Sequence, residues 1–179
     1  MIQIANVCRN LAIGRRGQLP VHCKEDMAFF RRTTLNGVCL MGRKTLDSFP
    51  GGAPLKNRVN IVLTRNPVQL ENAVLLAERD RAAGLSTRLL AVTSVAEALE
   101  AVKPYATNRV FVIGGAEIYR AFLPYSDTCL ITRTELEIPD ADAFYPDIFS
   151  DPGWKMTACG EQREEDGLIY RFCTYGSAD

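Results

Sequence analysis

Glu25 and Asp26 stand side by side, followed by the apolar Met27, Phe29 and Phe30. Two readings compete for this pair. Acids in the first turn of a helix favour its dipole and satisfy free N–H groups. Alternatively, Asp26 lies one turn before Phe30 on the same face. A carboxylate facing an apolar pocket has a raised pKa through desolvation, which suits it to hold or relay a proton. It also accepts paired hydrogen bonds from an amidine-like ring edge. Spacing alone leaves both readings open.

Three junctions join apolar runs to following polar or helical segments: Met41-Gly42-Arg43-Lys44-Thr45, Leu63-Thr64-Arg65 and Ile113-Gly114-Gly115-Ala116. In open α/β sheets ligands sit at the carboxyl ends of strands, where helix starts expose unpaired N–H groups. Glycine there admits a phosphate close to the backbone, and Arg43, Lys44 and Arg65 add charge. Such a set favours NADP over NAD. Taken singly, each junction is equally a tight turn flanked by solvated charges. The GxGxxG fingerprint is missing after the first apolar run. Metal chemistry has little support, because the six cysteines form no CxxC pair and His22 is the sole histidine. Four of the cysteines fall inside apolar runs, as buried thiols do, which points to a reduced, cytoplasmic setting.

The elements that must position these residues alternate along the chain. Ile2–Cys8 reads as a first strand, with polar and apolar residues alternating, and 10–23 as a loop rich in Gly and Arg. A helix over 24–35, a strand over 38–41, a helix over 44–49 and a Gly/Pro loop over 50–56 follow. Then come a strand over 60–63, a segment 67–87 of uncertain structure, a strand over 89–93 and a helix over Val95–Val102. Within 67–87, residues 75–83 read either as a helix or as a charged insertion. A strand over 109–113, a helix over 116–123 and strands over 128–136, 155–164 and 168–174 complete the pattern. This order predicts an α/β fold built as one domain over residues 1–179. The 21 basic and 21 acidic residues cancel, so no global field draws the chain to nucleic acid or to an anionic membrane. No signal peptide or membrane-spanning run is visible. A monomer is expected, since no exposed apolar helix face stands out.

Taken in order, these stretches resemble dihydrofolate reductase. The resemblance is carried by Ile13-Gly14 with Gly17-Gln18-Leu19-Pro20, Glu25-Asp26-Met27 with Phe30, Met41 to Thr45, and Arg58 before Val59-Asn60-Ile61-Val62-Leu63. It continues through Val112 to Gly115 with Ile118-Tyr119, then Thr132, then Phe144-Tyr145-Pro146-Asp147. It implies a central eight-stranded, mostly parallel mixed sheet with flanking helices. The implied reaction is NADPH-dependent reduction of 7,8-dihydrofolate to 5,6,7,8-tetrahydrofolate, by hydride transfer to pterin C6 with protonation at N5. Asp26, Leu19, Thr132 and Tyr119 form the implied catalytic set, with Thr132 bonded to Asp26. Ile4, Ala5, Asn6, Met27, Phe30, Phe49, Leu55 and Ile113 would line the pterin pocket, and Arg58 would pair with the substrate α-carboxylate. Arg43, Lys44, Thr45, Thr64 and Arg65 would hold the cofactor phosphates, with Gly42 and Leu63 also in the cofactor site. Ala5, Ile13, Gly14, Gln18, Leu19, Ile113, Gly114, Gly115, Ala116, Glu117, Ile118 and Tyr119 would frame the rest of the cofactor. Asp26 holds the far edge of the pterin in this scheme, so a water relay or ring polarisation is favoured over direct proton transfer to N5. The 10–23 loop would close and exclude water.

Two departures from the family's pattern stand out. Val21 follows Pro20 where a Trp is usual, and Asn6 replaces a small apolar residue near the pterin. Asn6 either contacts a ligand or points away to a backbone partner. Together they would reshape the pocket and weaken antifolates such as trimethoprim; neutral drift is the competing account. Glu117 stands where some relatives carry a basic residue. The related reductase of riboflavin synthesis shares the fold and NADPH, but Asp26 and Arg58 favour folate. A non-catalytic pterin-binding relative is a further alternative, opposed by retention of Asp26, Thr45, Arg58, Tyr119 and Thr132.

Overall fold

The runs VCLMG, VNIVL and VFVIG are apolar almost throughout, as strands covered on both faces of a parallel sheet must be. In the computed structural model, which describes residues 1–178, they become β3 (Val38–Gly42), β4 (Val59–Leu63) and β6 (Val110–Gly114). With β1 (Ile2–Cys8), β5 (Arg88–Val92) and β7 (Thr128–Thr134) they form the parallel part of the sheet. β11 (Leu168–Ser177) runs antiparallel to β7, and both β9 (Trp154–Cys159) and β10 (Arg163–Glu165) pair with the outer edge of β11. The order is β10-β11-β7-β1-β6-β3-β4-β5. β9 and β10 share one edge, so nine segments fill eight strand positions, the mostly parallel mixed sheet that the family resemblance implied. β2 (Ala12–Gly14) and β8 (Ala143–Phe144) form a separate antiparallel pair that ties the loop after β1 to the chain ahead of β9.

Alternate residues of each strand feed two cores. Leu40, Ile61, Val110 and Val112 pack on one face, under α4 (Val95–Val102) and α5 (Ala116–Phe122). Cys39, Met41, Val62, Phe111 and Ile113 pack on the other, with residues of α1 (Lys24–Thr34), α2 (Arg43–Asp47) and α3 (Glu71–Ala82). Truncating a fully buried residue such as Leu40 would cost about 2–5 kcal/mol. Among the described residues, no helix is long and apolar enough to cross a membrane.

Several boundaries and readings change. Segment 67–87 holds a short 3-10 turn (Pro67–Leu70) and then α3, whose buried stripe is only Ala73 and Ala77. The expected strand over 155–164 is broken between Cys159 and Arg163. Gln3, read as the polar side of an alternating strand, is 0% exposed, because β1 is central and covered on both faces. Cys159 and Cys173 face each other across β9 and β11 and form a disulfide, so four thiols remain rather than six. Burial pushes two of those thiols, Cys39 and Cys129, up to about 12.

Candidate functional site

α1 begins without a side-chain cap from its own N-cap residue, Cys23. Its first N–H groups are satisfied from outside. The carboxylate of Glu165 on β10 accepts from Lys24 N at 2.6 Å and Glu25 N at 3.1 Å. Those bonds hold Glu165 below the usual carboxylate pKa. Glu25 turns outward to the Tyr170 hydroxyl and the Arg163 guanidinium. The helix start is thus served by Glu165, and Asp26 is released to face the sheet.

There Thr132 Oγ1 donates to Asp26 Oδ1 at 2.5 Å and Asn6 Nδ2 donates to Asp26 Oδ2 at 3.1 Å. Burial raises the Asp26 pKa, the bonds from Thr132 and Asn6 pull it back, and the charge of Glu165 pushes it up again. Asp26 is therefore turned away from capping the helix start and toward the sheet, hydrogen-bonded to Thr132 and Asn6 and with its pKa raised by burial, the condition expected of a proton-handling group. Beside it, Ile4, Phe30, Phe49, Leu55 and Ile113 belong to one apolar cluster. Ala5 packs on the opposite core, and Met27 is half-buried on α1.

The three junctions meet at one edge of the sheet because their strands are parallel and in register. Gly42 pairs with Leu63, and Met41 with Gly114. Gly114 has φ +119, and a Cβ there would stand 3.2 Å from the Tyr119 ring. A Cβ on Gly42 would meet Ile118 at 3.1 Å, and one on Gly115 would lie 3.7 Å from Thr45 Oγ1. Gly42 and Gly114 thus let β3 and β6 pack closely on Ile118 and Tyr119 of α5, and the Thr45 hydroxyl of α2 lies beside Gly115 at the start of α5. Lys44 and Arg65 are exposed nearby in sequence, while Arg43 pairs with Asp47. Thr64 is buried, its hydroxyl accepting from Asn66 N at 3.2 Å. The backbone at Gly115 beside Thr45, with basic residues close in sequence, could hold the phosphates of a dinucleotide. Glu117, exposed in the first turn of α5, adds a negative charge to the same rim.

Other expected residues fall less simply. The Tyr119 hydroxyl is buried and donates to Ile4 O at 2.7 Å, so it positions strand β1 rather than presenting a free donor. Leu19 is 57% exposed and Gln18 closes a turn with Arg15. Ile13 is buried and Gly14 packs against Ala143. Val21 packs against Cys8, Ala12 and Ile138, which anchors the base of the loop. Arg58 is 9% exposed and makes four hydrogen bonds, two to Thr34 Oγ1 and one each to Lys56 O and Arg31 O. The two-pronged grip on a carboxylate expected of Arg58 is therefore not preformed, its donors being turned to Thr34, Lys56 and Arg31.

Sequence reasoning missed the supports. Asn60 Oδ1 accepts from Leu55 N, and its Nδ2 donates to Leu55 O, Arg58 O and Arg88 O, fixing the loop that carries Leu55 and Arg58. Gln3 accepts from the Tyr145 hydroxyl at 2.6 Å and donates to Tyr119 O at 2.9 Å. An amide inside an apolar strand run is the signal that flags both residues, since buried polar groups must find partners. Thr134 and Glu165 carry no such mark.

Comparison with known proteins agrees with this geometry. Residues 1–177 match the family model described as Dihydrofolate reductase. The dihydrofolate reductase of Neisseria gonorrhoeae is 35% identical over 173 residues, 96% of this chain and 94% of that protein. Those of Mycobacterium tuberculosis strain H37Rv (33% over 167 residues, 91% and 89%) and Bacillus subtilis strain 168 (31% over 168 residues, 93% and 88%) are similar in extent. A match that runs through nearly every strand of the sheet and every junction at its carboxyl edge places this chain in the dihydrofolate reductase family of oxidoreductases.

Proposed function

We propose that the chain reduces 7,8-dihydrofolate to 5,6,7,8-tetrahydrofolate with NADPH as its cofactor. The observation that carries this reading is Asp26, held by Thr132 and Asn6, at an apolar cluster next to a glycine-rich strand edge. When bound, NADPH supplies the hydride. Everything else falls to the protein. Gly42, Thr45, Gly115, Lys44 and Arg65 would hold the cofactor phosphates, and Gly114 with Tyr119 would support its reactive end. Asp26 accepts hydrogen bonds from the 2-amino and N3 edge of the pterin, and burial raises its pKa from the ordinary carboxylate value. Because Asp26 occupies that edge, the proton for N5 travels by water or follows polarisation of the ring. Arg58 draws the substrate carboxylate to the mouth of the pocket. Exposed Leu19 gives the 10–23 loop an apolar surface to lay over the bound rings, which excludes water and aligns them.

The chain would also bind antifolates, and we infer weakened affinity for diaminopyrimidines such as trimethoprim. Asn6 already occupies Asp26 Oδ2, and Val21 is turned toward Cys8, Ala12 and Ile138. The test of the main reading is NADPH absorbance decay with dihydrofolate, for wild type and Asp26→Asn in parallel. Turnover in the wild type and a loss of about 10²-fold or more in Asp26→Asn near neutral pH are expected. Folded wild type that binds NADPH without turnover would overturn the reading.

A further inference from the structure

Asn6 stands at the carboxyl half of β1, directly opposite Thr132 of β7 in the parallel register. Thr134, two residues on, presents its side chain on the same face as Thr132. Its Oγ1 donates to Asn6 Oδ1 at 2.7 Å, and Asn6 Nδ2 donates to Asp26 Oδ2 at 3.1 Å. The two ends of the amide agree. With its oxygen taken by Thr134, its NH2 faces Asp26; a flipped amide would set oxygen against a carboxylate oxygen. We propose that Asn6, clamped by Thr134, is a positioning residue of the reductase site: it fixes the Asp26 carboxylate in one orientation and supplies its charged form with a second donor. The proposal rests on the reading of Asp26 as the pterin-binding carboxylate.

The chemistry of the amide gives the clamp its sign. An NH2 group only donates, and a bond to a charged acceptor is about twice as strong as one to a neutral acceptor. Asn6 therefore favours carboxylate over carboxylic acid. Thr132 acts in the same sense and Glu165 of β10 opposes both. Tyr119 and Cys23 also feel Asp26 and stay neutral near pH 7, while the adjacent Glu25 is turned to Tyr170 and Arg163. The working pH range of Asp26 is then set by a balance among β1, β7 and β10.

The test is a 13C NMR titration of the Asp26 carboxyl in the free protein, beside the pH profile of the hydride step. Asn6→Ala should move the Asp26 titration upward by about one unit. Thr134→Val should move it the same way by less, Thr134→Ser should restore it, and Asn6→Ala/Thr134→Val should match Asn6→Ala alone. The hydride-step profile should shift upward in step. An unmoved Asp26 titration in Asn6→Ala protein that keeps the wild-type Tm would overturn the clamp, as would full additivity of the two substitutions. The free-protein shift supports the clamp even where wild type fails to reduce dihydrofolate, a failure that would count against the reductase reading alone.

Discussion

At Asp26 burial and hydrogen bonding act in opposite directions, and burial wins. The consequence for stability has an unusual sign. A carboxyl whose folded pKa lies above its unfolded value of about 3.9 binds its proton more tightly when folded, so stability falls as pH rises through that window. Asp26→Asn removes the dependence. It should melt higher than wild type at pH 8, with the difference vanishing near pH 3, while turnover collapses; thermal melts across pH measure this directly. Activity and stability would then be traded at one side chain. Arg58→Lys addresses the other end of the ligand. A lysine loses the fork that reaches Thr34, Arg31 and Lys56 together, so KM for dihydrofolate should rise about 10-fold or more with kcat little changed. Steady-state kinetics decide it, and an unchanged KM would remove Arg58 from the substrate site. For the inhibitor reading, Asn6→Ala/Val21→Trp should tighten trimethoprim binding, and an unchanged inhibition constant would refute it.

Among the elements, α1 depends on a hairpin far away in sequence. Glu165 supplies the cap that Cys23 does not, and Glu25 is tied to Tyr170 and Arg163 on the same hairpin. Glu165→Ala should fray the first turn of α1, expose the amides of Lys24 and Glu25 to faster hydrogen exchange, and lower kcat/KM by loosening Asp26. Unchanged exchange at those two amides would contradict this account. Glu165 is ionised below the usual range, so its stabilisation is present above its unfolded pKa and is lost as pH falls through the folded one. The parallel strands were legible in the sequence because both their faces are apolar, as at Val110–Gly114. The glycine junctions were legible because Gly114 takes a positive φ and Gly42 packs too close to Ile118 for a side chain. α3 was not, since it buries only Ala73 and Ala77 while Val74 and Leu75 face solvent. Two alanines on a charged helix leave almost no periodic signal. The interactions around Asp26 were half legible. Spacing brought Asp26 and Phe30 to one face, but partners 106 and 20 residues away, Thr132 and Asn6, depend on strand register.

Across the whole molecule, β1 is the first strand made and one of the last to be satisfied. Its partners are β6 and β7, with Ile2 aligned on Phe111 and Thr128. At 5–20 residues per second, the ribosome needs roughly 6–25 s to pass from the first residues to the end of β7. Until β6 is made this strand of seven residues has neither neighbour, and until β7 is complete it lacks one of the two. Such a segment is an open template for another chain's strand edge or for a holdase that grips extended apolar sequence. Loss of the last sixty residues would be worse than a missing surface, for it would remove β7, β11 and the cap on α1 at once, and leave β1 permanently without a partner on one side.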